Sequence, residues 1–151
     1  MQKYAALLLF LLFAAFFAFA QQEKKPDATP PVVEPKAPAE AAKMVNPVKA
    51  SSESISRGKR IFGYDCAMCH GKDGDGKGDL ATDMKLKLAD LRQPETLKDQ
   101  SDGEIFYIIK NGKGDMPSEG GRAKTDDIWD LVNYVRSLAK AEAAKEKAAA
   151  Q

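Results

Sequence analysis

The chain has 151 residues, which allows one ordinary domain with extensions at its ends. Its 23 basic and 22 acidic side chains give a formal net charge of +1, and this balance gives no support to nucleic-acid binding. Two cysteines and one histidine exclude a zinc site made of four cysteines, or of three cysteines and a histidine, within one chain.

The N-terminal stretch has the pattern of a targeting segment. Lys3 precedes an apolar run from Tyr4 to Ala20, and Ala18 and Ala20 place small residues at both positions of a signal-peptidase site. The run is shorter than the roughly 20 residues of a typical spanning helix. We predict a cleaved signal peptide over residues 1–20 and export to a compartment such as the periplasm. An uncleaved segment would instead anchor the protein to a membrane.

A proline-rich stretch follows. Six of the eight prolines lie between residues 21 and 50, interspersed with alanine, glutamate and lysine. Proline fixes the backbone φ angle and removes a hydrogen-bond donor, so it disfavours helices and central strands. The composition predicts a flexible Pro/Ala-rich tether over residues 21–51.

The folded domain is predicted to begin at Ser52 with an amphipathic helix. Ile55, Gly58 and Phe62 recur at helical spacing. A glycine inside a helix costs about 1 kcal/mol relative to alanine. This cost favours a role for Gly58 in the close approach of another helix.

The pentapeptide Cys66-Ala67-Met68-Cys69-His70 follows this helix. The C-x-x-C-H spacing is that of a c-type haem attachment site. Each thiol can form a thioether to a haem vinyl group, and the histidine is then held beside the ring. The spacing therefore predicts one covalent haem c on Cys66 and Cys69. A bare C-x-x-C also occurs in thiol–disulfide reductases, so that class remains an alternative.

The single histidine limits how the iron can be held. Because His70 is the only histidine, a second histidine ligand from the same chain is excluded. The opposite side of the iron must use methionine, lysine, asparagine or the amino terminus, or it must stay open.

The middle of the domain has few regular patterns. Four glycines between residues 71 and 78 predict a loop with unusual backbone angles. Residues 80–100 are weakly periodic, and we interpret them as loops around a short helix.

Two further helices have clear boundary signals. Ser101 and Glu104 form a predicted capping box at the start of a short helix, and Gly112 is placed to end it. The last helix is predicted to begin after Thr125. It continues into an Ala/Lys/Glu-rich tail over residues 141–151.

A methionine between these two helices is the favoured second iron ligand. Met116 is followed by Pro117 in a predicted loop, and a thioether is a soft ligand that suits haem iron. Met68 lies inside the attachment turn, Met84 lies in a charged stretch, and Met44 lies in the tether. Met84 and an open or non-methionine site are the remaining alternatives.

The order of these motifs resembles that of a class I monohaem cytochrome c over residues 52–140. The resemblance rests on a helix before C-x-x-C-H, a glycine-rich loop, Met116-Pro117, and a last helix that contains residues 128–135. It implies an all-α cytochrome c fold, with three to five helices wrapped around one covalently attached haem.

The resemblance also implies roles for individual residues. His70 and Met116 correspond to the axial iron ligands, and Cys66 and Cys69 to the thioether residues. The family crosses its first and last helices through a glycine–aromatic contact. In this chain the contact would join Gly58 and Phe62 to the helix face near Trp129 and Tyr134.

This coordination predicts the function. With histidine and methionine on its two axial positions, the iron has no vacant site for oxygen or peroxide. We predict a monomeric electron carrier, not an enzyme, which shuttles single electrons between exported redox partner proteins. Membrane contact is expected only if the signal segment is retained, and no nucleic acid is expected as a partner. A labile Met116 would give the alternative, a haem protein that binds gases or has weak peroxidase activity.

Overall fold

The structure is a computed structural model, and it describes residues 37–149 of the chain. The predicted signal peptide over residues 1–20 and the first part of the predicted tether lie outside the described residues. Within the described part the chain forms seven α-helices and no β-strand, which confirms the all-α fold class. The helices are α1 (Ala39–Ala42), α2 (Ser52–Asp65), α3 (Ala67–His70), α4 (Asp79–Asp83), α5 (Pro94–Leu97), α6 (Asp102–Asn111) and α7 (Thr125–Ala149).

The described helices outnumber the three to five that were expected because four of them are single turns. Helices α2, α6 and α7 have 14, 10 and 25 residues. The other four have only four or five residues each, too few to show a periodic pattern in the sequence. None of the described helices has the length and apolar composition needed to cross a membrane.

Helices α2 and α7 cross at Gly58, where their backbones come into direct contact. A Cβ atom on Gly58 would lie 2.1 Å from a backbone oxygen of α7 and 2.8 Å from the Cβ atom of Tyr134. One turn along α2, the ring of Phe62 packs edge-on against Tyr134, with ring centroids 5.1 Å apart. The glycine–aromatic contact is thus confirmed for Tyr134. Trp129 instead stacks on Phe106 of α6, at a centroid distance of 4.1 Å.

The crossing gives a prediction for Gly58→Ala. A new methyl group would meet backbone atoms that cannot rotate away, so the two helices must separate. We expect a loss of about 2–3 kcal/mol in the free energy of unfolding. Thermal denaturation of the haem-loaded protein measures this loss.

Gly63→Ala is the matched control on the same helix. A Cβ atom at Gly63 would have no neighbour within 4 Å. Alanine there should be neutral, or stabilising by up to about 1 kcal/mol, because it improves helix propensity. Equal melting temperatures for the two variants would contradict a tight crossing at Gly58.

Helix α6 begins and ends where the sequence predicts. The backbone N–H of Glu104 donates to the Ser101 hydroxyl at 3.1 Å, and the backbone N–H of Ser101 donates to the Glu104 carboxylate at 2.7 Å. This reciprocal capping box confirms the predicted start of the helix. Gly112 follows the last helical residue with a φ of 78°, a conformation that glycine adopts without strain.

Residues 37–51 pack against the domain, whereas the sequence assigns them to the flexible tether. Ala41 of α1 is buried, and its backbone oxygen lies where a Cβ atom of Gly103 would be. The Asn46 amide donates to the side-chain oxygen of Asn133 at 2.9 Å. Proline content made the stretch look unstructured, but tertiary contacts with α6 and α7 hold its second half in place.

A buried polar network joins α2 to α7 beside these contacts. The Asn133 amide donates to the Ser54 hydroxyl at 2.8 Å, and that hydroxyl donates to Asp130 at 2.6 Å. Arg57 donates to both Asp130 oxygens, at 2.6 and 2.9 Å. Each buried oxygen of Asp130 therefore has a partner, which offsets the cost of removing a carboxylate from water.

The segment 71–100 contains two short helices, α4 and α5, where one was predicted. Its glycine-rich part folds back on the chain that follows. The backbone N–H of Leu91 donates to the oxygen of Gly74 at 2.8 Å, and a Cβ atom on Gly76 would lie 2.7 Å from the oxygen of Leu88. These contacts fix the stretch around residues 88–91 that forms one wall of the candidate site.

Candidate haem site

The C-x-x-C-H pentapeptide forms a compact turn directly after α2. The backbone N–H of His70 donates to the oxygen of Cys66 at 2.9 Å, and that of Gly71 donates to the oxygen of Ala67. Gly71 has a φ of 76° and ends the turn. The oxygen of Cys69 accepts from Gly78, so the glycine-rich loop closes over the turn.

The loop that carries Met116 is held by a reciprocal pair of backbone hydrogen bonds. Lys113 N–H donates to the oxygen of Met116 at 3.1 Å, and Met116 N–H donates to the oxygen of Lys113 at 3.0 Å. A Cβ atom on Gly112 would lie only 2.5 Å from the oxygen of Met116. The glycine that ends α6 therefore lets the loop fold tightly against the helix end.

Two cavities that share much of their lining separate the turn from this loop. Their volumes are about 380 and 280 Å³. Cys69 borders the first cavity, and mostly apolar side chains of α2, α5, α6 and α7 line the rest of the second. The residues that border both are Cys66, His70, Ala89, Ile108, Lys113 and Met116. The structure thus brings the four predicted site residues to one apolar space, although Met116 lies 46 residues after His70 in the sequence.

The other described methionines lie away from this space. Met68 and Met84 are 57% and 53% exposed, and Met44 is 40% exposed. None of the three borders either cavity. Among the methionines in the described part of the chain, only Met116 shares a cavity with His70.

The environment of His70 suits coordination of a metal by a neutral imidazole. Burial lowers the pKa of His70, because the charged imidazolium loses its hydration. The Nδ1 atom is buried and has no hydrogen-bond partner among the described residues. The Phe62 ring lies 6.3 Å from the imidazole, between centroids, and forms part of the apolar wall. An iron–imidazole bond needs the neutral form that this burial favours.

The environment of Cys66 is the opposite of that of a redox-active thiol. Burial raises the pKa of Cys66 to about 12, and the nearby carboxylates of Glu119 and Asp65 add to this effect. Thiol–disulfide reductases lower the pKa of their attacking cysteine, because the thiolate is the nucleophile. The structure therefore gives no support to the reductase alternative.

Glu119 is a cavity residue that the sequence does not reveal. It lies in the loop between α6 and α7, yet only 3% of its surface is exposed, and it borders the larger cavity. Loop carboxylates are usually exposed, and no periodicity distinguishes this one from its neighbours. Only the folded structure, in which the loop packs against α6, shows that Glu119 is buried.

Comparisons with known proteins find one matching family and several similar proteins. Residues 53–135 match the family described as cytochrome c oxidase, cbb3-type, subunit III. Cytochrome c6 of Pyropia yezoensis is 33% identical over 88 residues, which cover 58% of this chain and 74% of the relative. Cytochrome c6 of Bumilleriopsis filiformis is 36% identical over 83 residues, which cover 55% of this chain and 90% of the relative.

A solved structure is also similar. A chain of the reducing HAO-like protein complex of Kuenenia stuttgartiensis superimposes with a TM-score of 0.53 and is 27% identical in sequence. The similarity covers 61% of this chain and 46% of that chain. The family match begins in α2 and ends in α7.

Proposed function

Because this chain belongs to the family of c-type cytochromes that carry one covalently bound haem c, we propose that it is an electron carrier with histidine–methionine iron ligation. A haem with this ligation supplies a reversible one-electron couple between ferric and ferrous iron. His70 and Met116 are the proposed axial ligands. Cys66 and Cys69 are the proposed thioether residues.

One observation carries this proposal: His70 and Met116 border the same two cavities from separate elements. His70 comes from the attachment turn, and Met116 comes from the loop after α6, 46 residues further along the chain. An apolar group that filled these cavities would meet both the imidazole of His70 and the thioether of Met116. Both are side chains that c-type cytochromes use as ligands.

The chain's own residues explain why such a centre would transfer electrons rather than react with substrates. If His70 and Met116 both held the haem iron, neither oxygen nor peroxide could bind it unless one of these side chains moved away. The only histidine serves as a ligand and is not free to act as a general acid or base. We infer a carrier and not an enzyme.

The proposed setting follows the sequence signals. The apolar N-terminal segment supports export, and thioether attachment supports assembly of the protein outside the cytoplasm. Its proposed partners are exported redox proteins that donate and accept single electrons. The proposed oligomeric state is a monomer.

Purified protein that has been expressed with haem-attachment machinery tests the proposal. We expect an intact mass that includes one haem, a weak far-red band in the ferric spectrum, and no binding of carbon monoxide by the ferrous form at neutral pH. The same gene expressed without the machinery is the control for mass. Loss of the haem mass would refute the cytochrome assignment, and carbon monoxide binding would favour the gas-binding or peroxidase alternative.

A further inference from the structure

Glu119 is held in the cavity wall by contacts of its own backbone and of its neighbours. Its N–H donates to the oxygen of Ile109 at 3.0 Å, and the N–H of Gly120 donates to that of Lys110 at 2.9 Å. The Ser118 hydroxyl also donates to Lys110, at 2.6 Å. These hydrogen bonds hold the loop against the end of α6 on both sides of Glu119. The Glu119 carboxylate therefore has little freedom to turn toward water.

The ion pair that Glu119 makes is buried at one end only. Its Oε1 atom accepts from Arg122, whose side chain is 56% exposed, whereas the Glu119 side chain is 4% exposed. Its Oε2 atom is buried and has no hydrogen-bond partner among the described residues. Water screens the exposed guanidinium more than it screens the buried carboxylate, so the pair leaves a net negative field on the cavity side.

The other charges around the larger cavity are exposed to solvent. Among the described residues that border it, the charged side chains in exposed positions are Asp65, Lys87, Lys113 and Asp115. Glu119 is the buried one. Exposed charges contribute little to the potential inside a protein because water and salt screen them, and a buried charge keeps most of its effect.

From this placement we propose that Glu119 tunes the reduction potential of the bound haem by favouring the ferric state. Oxidation adds one positive charge at the iron, and a fixed negative charge nearby stabilises that state. The role of Glu119 is electrostatic, and it forms no bond to the iron. This inference rests on the proposed function, because it requires the haem to lie in the cavity that Glu119 borders.

Glu119→Gln tests the proposal, because it removes the charge and keeps the size of the side chain. At a fixed solution potential we expect the ratio of ferrous to ferric protein to rise by about tenfold, which is a shift of about +59 mV for a one-electron couple. Spectroelectrochemical titration measures the shift. Glu119→Asp keeps the charge and should have a potential close to that of the unmodified protein.

Asp65→Asn is the matched control, because it removes the same charge from an exposed residue that borders the same cavity. We expect it to shift the potential less than Glu119→Gln does. Its shift should also shrink in high salt, whereas that of Glu119→Gln should persist. Equal, salt-sensitive shifts for both variants would overturn the proposal.

The far-red band separates this proposal from the proposed function. If the unmodified protein lacks the band, the proposed histidine–methionine ligation is wrong. If the band is present in the protein and in Glu119→Gln but the potential is unchanged, the inference about Glu119 is wrong. Should Glu119→Gln lose the band through a shift of the loop, Glu119→Leu supplies a second neutral side chain, which cannot bind the iron. If that variant kept the band and its reduction potential were unchanged, the inference about Glu119 would also be wrong.

Discussion

Met116→Ala is expected to abolish the far-red band of the ferric protein and to let the ferrous protein bind carbon monoxide. The alanine methyl group cannot reach the iron, so one axial position opens. A thioether ligand raises the reduction potential. Its loss should therefore lower the potential by on the order of 100 mV, out of the span of about 0.8 V that axial ligands cover. Absorption spectra and a redox titration measure these changes.

Met84→Ala provides the control for this experiment. Met84 is the residue after α4, is 53% exposed and borders neither cavity. Its replacement removes the same thioether from the protein and should leave the band, the potential and the carbon monoxide response unchanged. If the band survived Met116→Ala and disappeared in Met84→Ala, Met84 and not Met116 would be the second iron ligand.

The second large effect concerns folding without haem. The larger cavity, of about 380 Å³, opens to solvent and its lining surface is mainly apolar, so this surface stays in contact with water until haem covers it. A small domain is stabilised by only about 5–15 kcal/mol, so loss of the apolar contacts of a whole haem removes a large share of its stability. Removing both attachment thiols in the double variant Cys66→Ser/Cys69→Ser should therefore leave a protein with no cooperative thermal transition. Far-UV circular dichroism against temperature tests this expectation.

The haem-loaded protein is the reference for that measurement, and the single variant Cys69→Ser is the intermediate case. The single variant retains Cys66, so it can still form one thioether and should keep a cooperative transition at a lower temperature. A haem-free double variant with the circular dichroism spectrum and melting curve of the loaded protein would show that the helices pack without the cofactor.

The sequence predicts those parts of the molecule that depend on local patterns. C-x-x-C-H fixes the attachment turn through spacing alone, and Ser101 and Glu104 cap α6 through contacts three residues apart. The role of Gly58 could also be predicted. A glycine inside a helix lowers helix stability, so its presence there indicates close packing against another element. These features need no knowledge of distant parts of the chain.

Other features depend on contacts that no local pattern encodes. Asn46 looks like a tether residue, and its partner Asn133 lies 87 positions away. Glu119 looks like an exposed loop carboxylate until the loop closes on α6 and buries it. Helices α4 and α5 have only five and four residues, too few for a periodic pattern to show in the sequence.

The contacts of residues 37–51 with α6 and α7 extend the folded domain on its N-terminal side. The boundary between the tether and the domain then lies near residue 37 and not at Ser52. A fragment cut at Ser52 would leave the side-chain oxygen of Asn133 without its Asn46 partner, and it would uncover the face of α6 at Gly103. A boundary drawn from proline content alone therefore divides a packed unit.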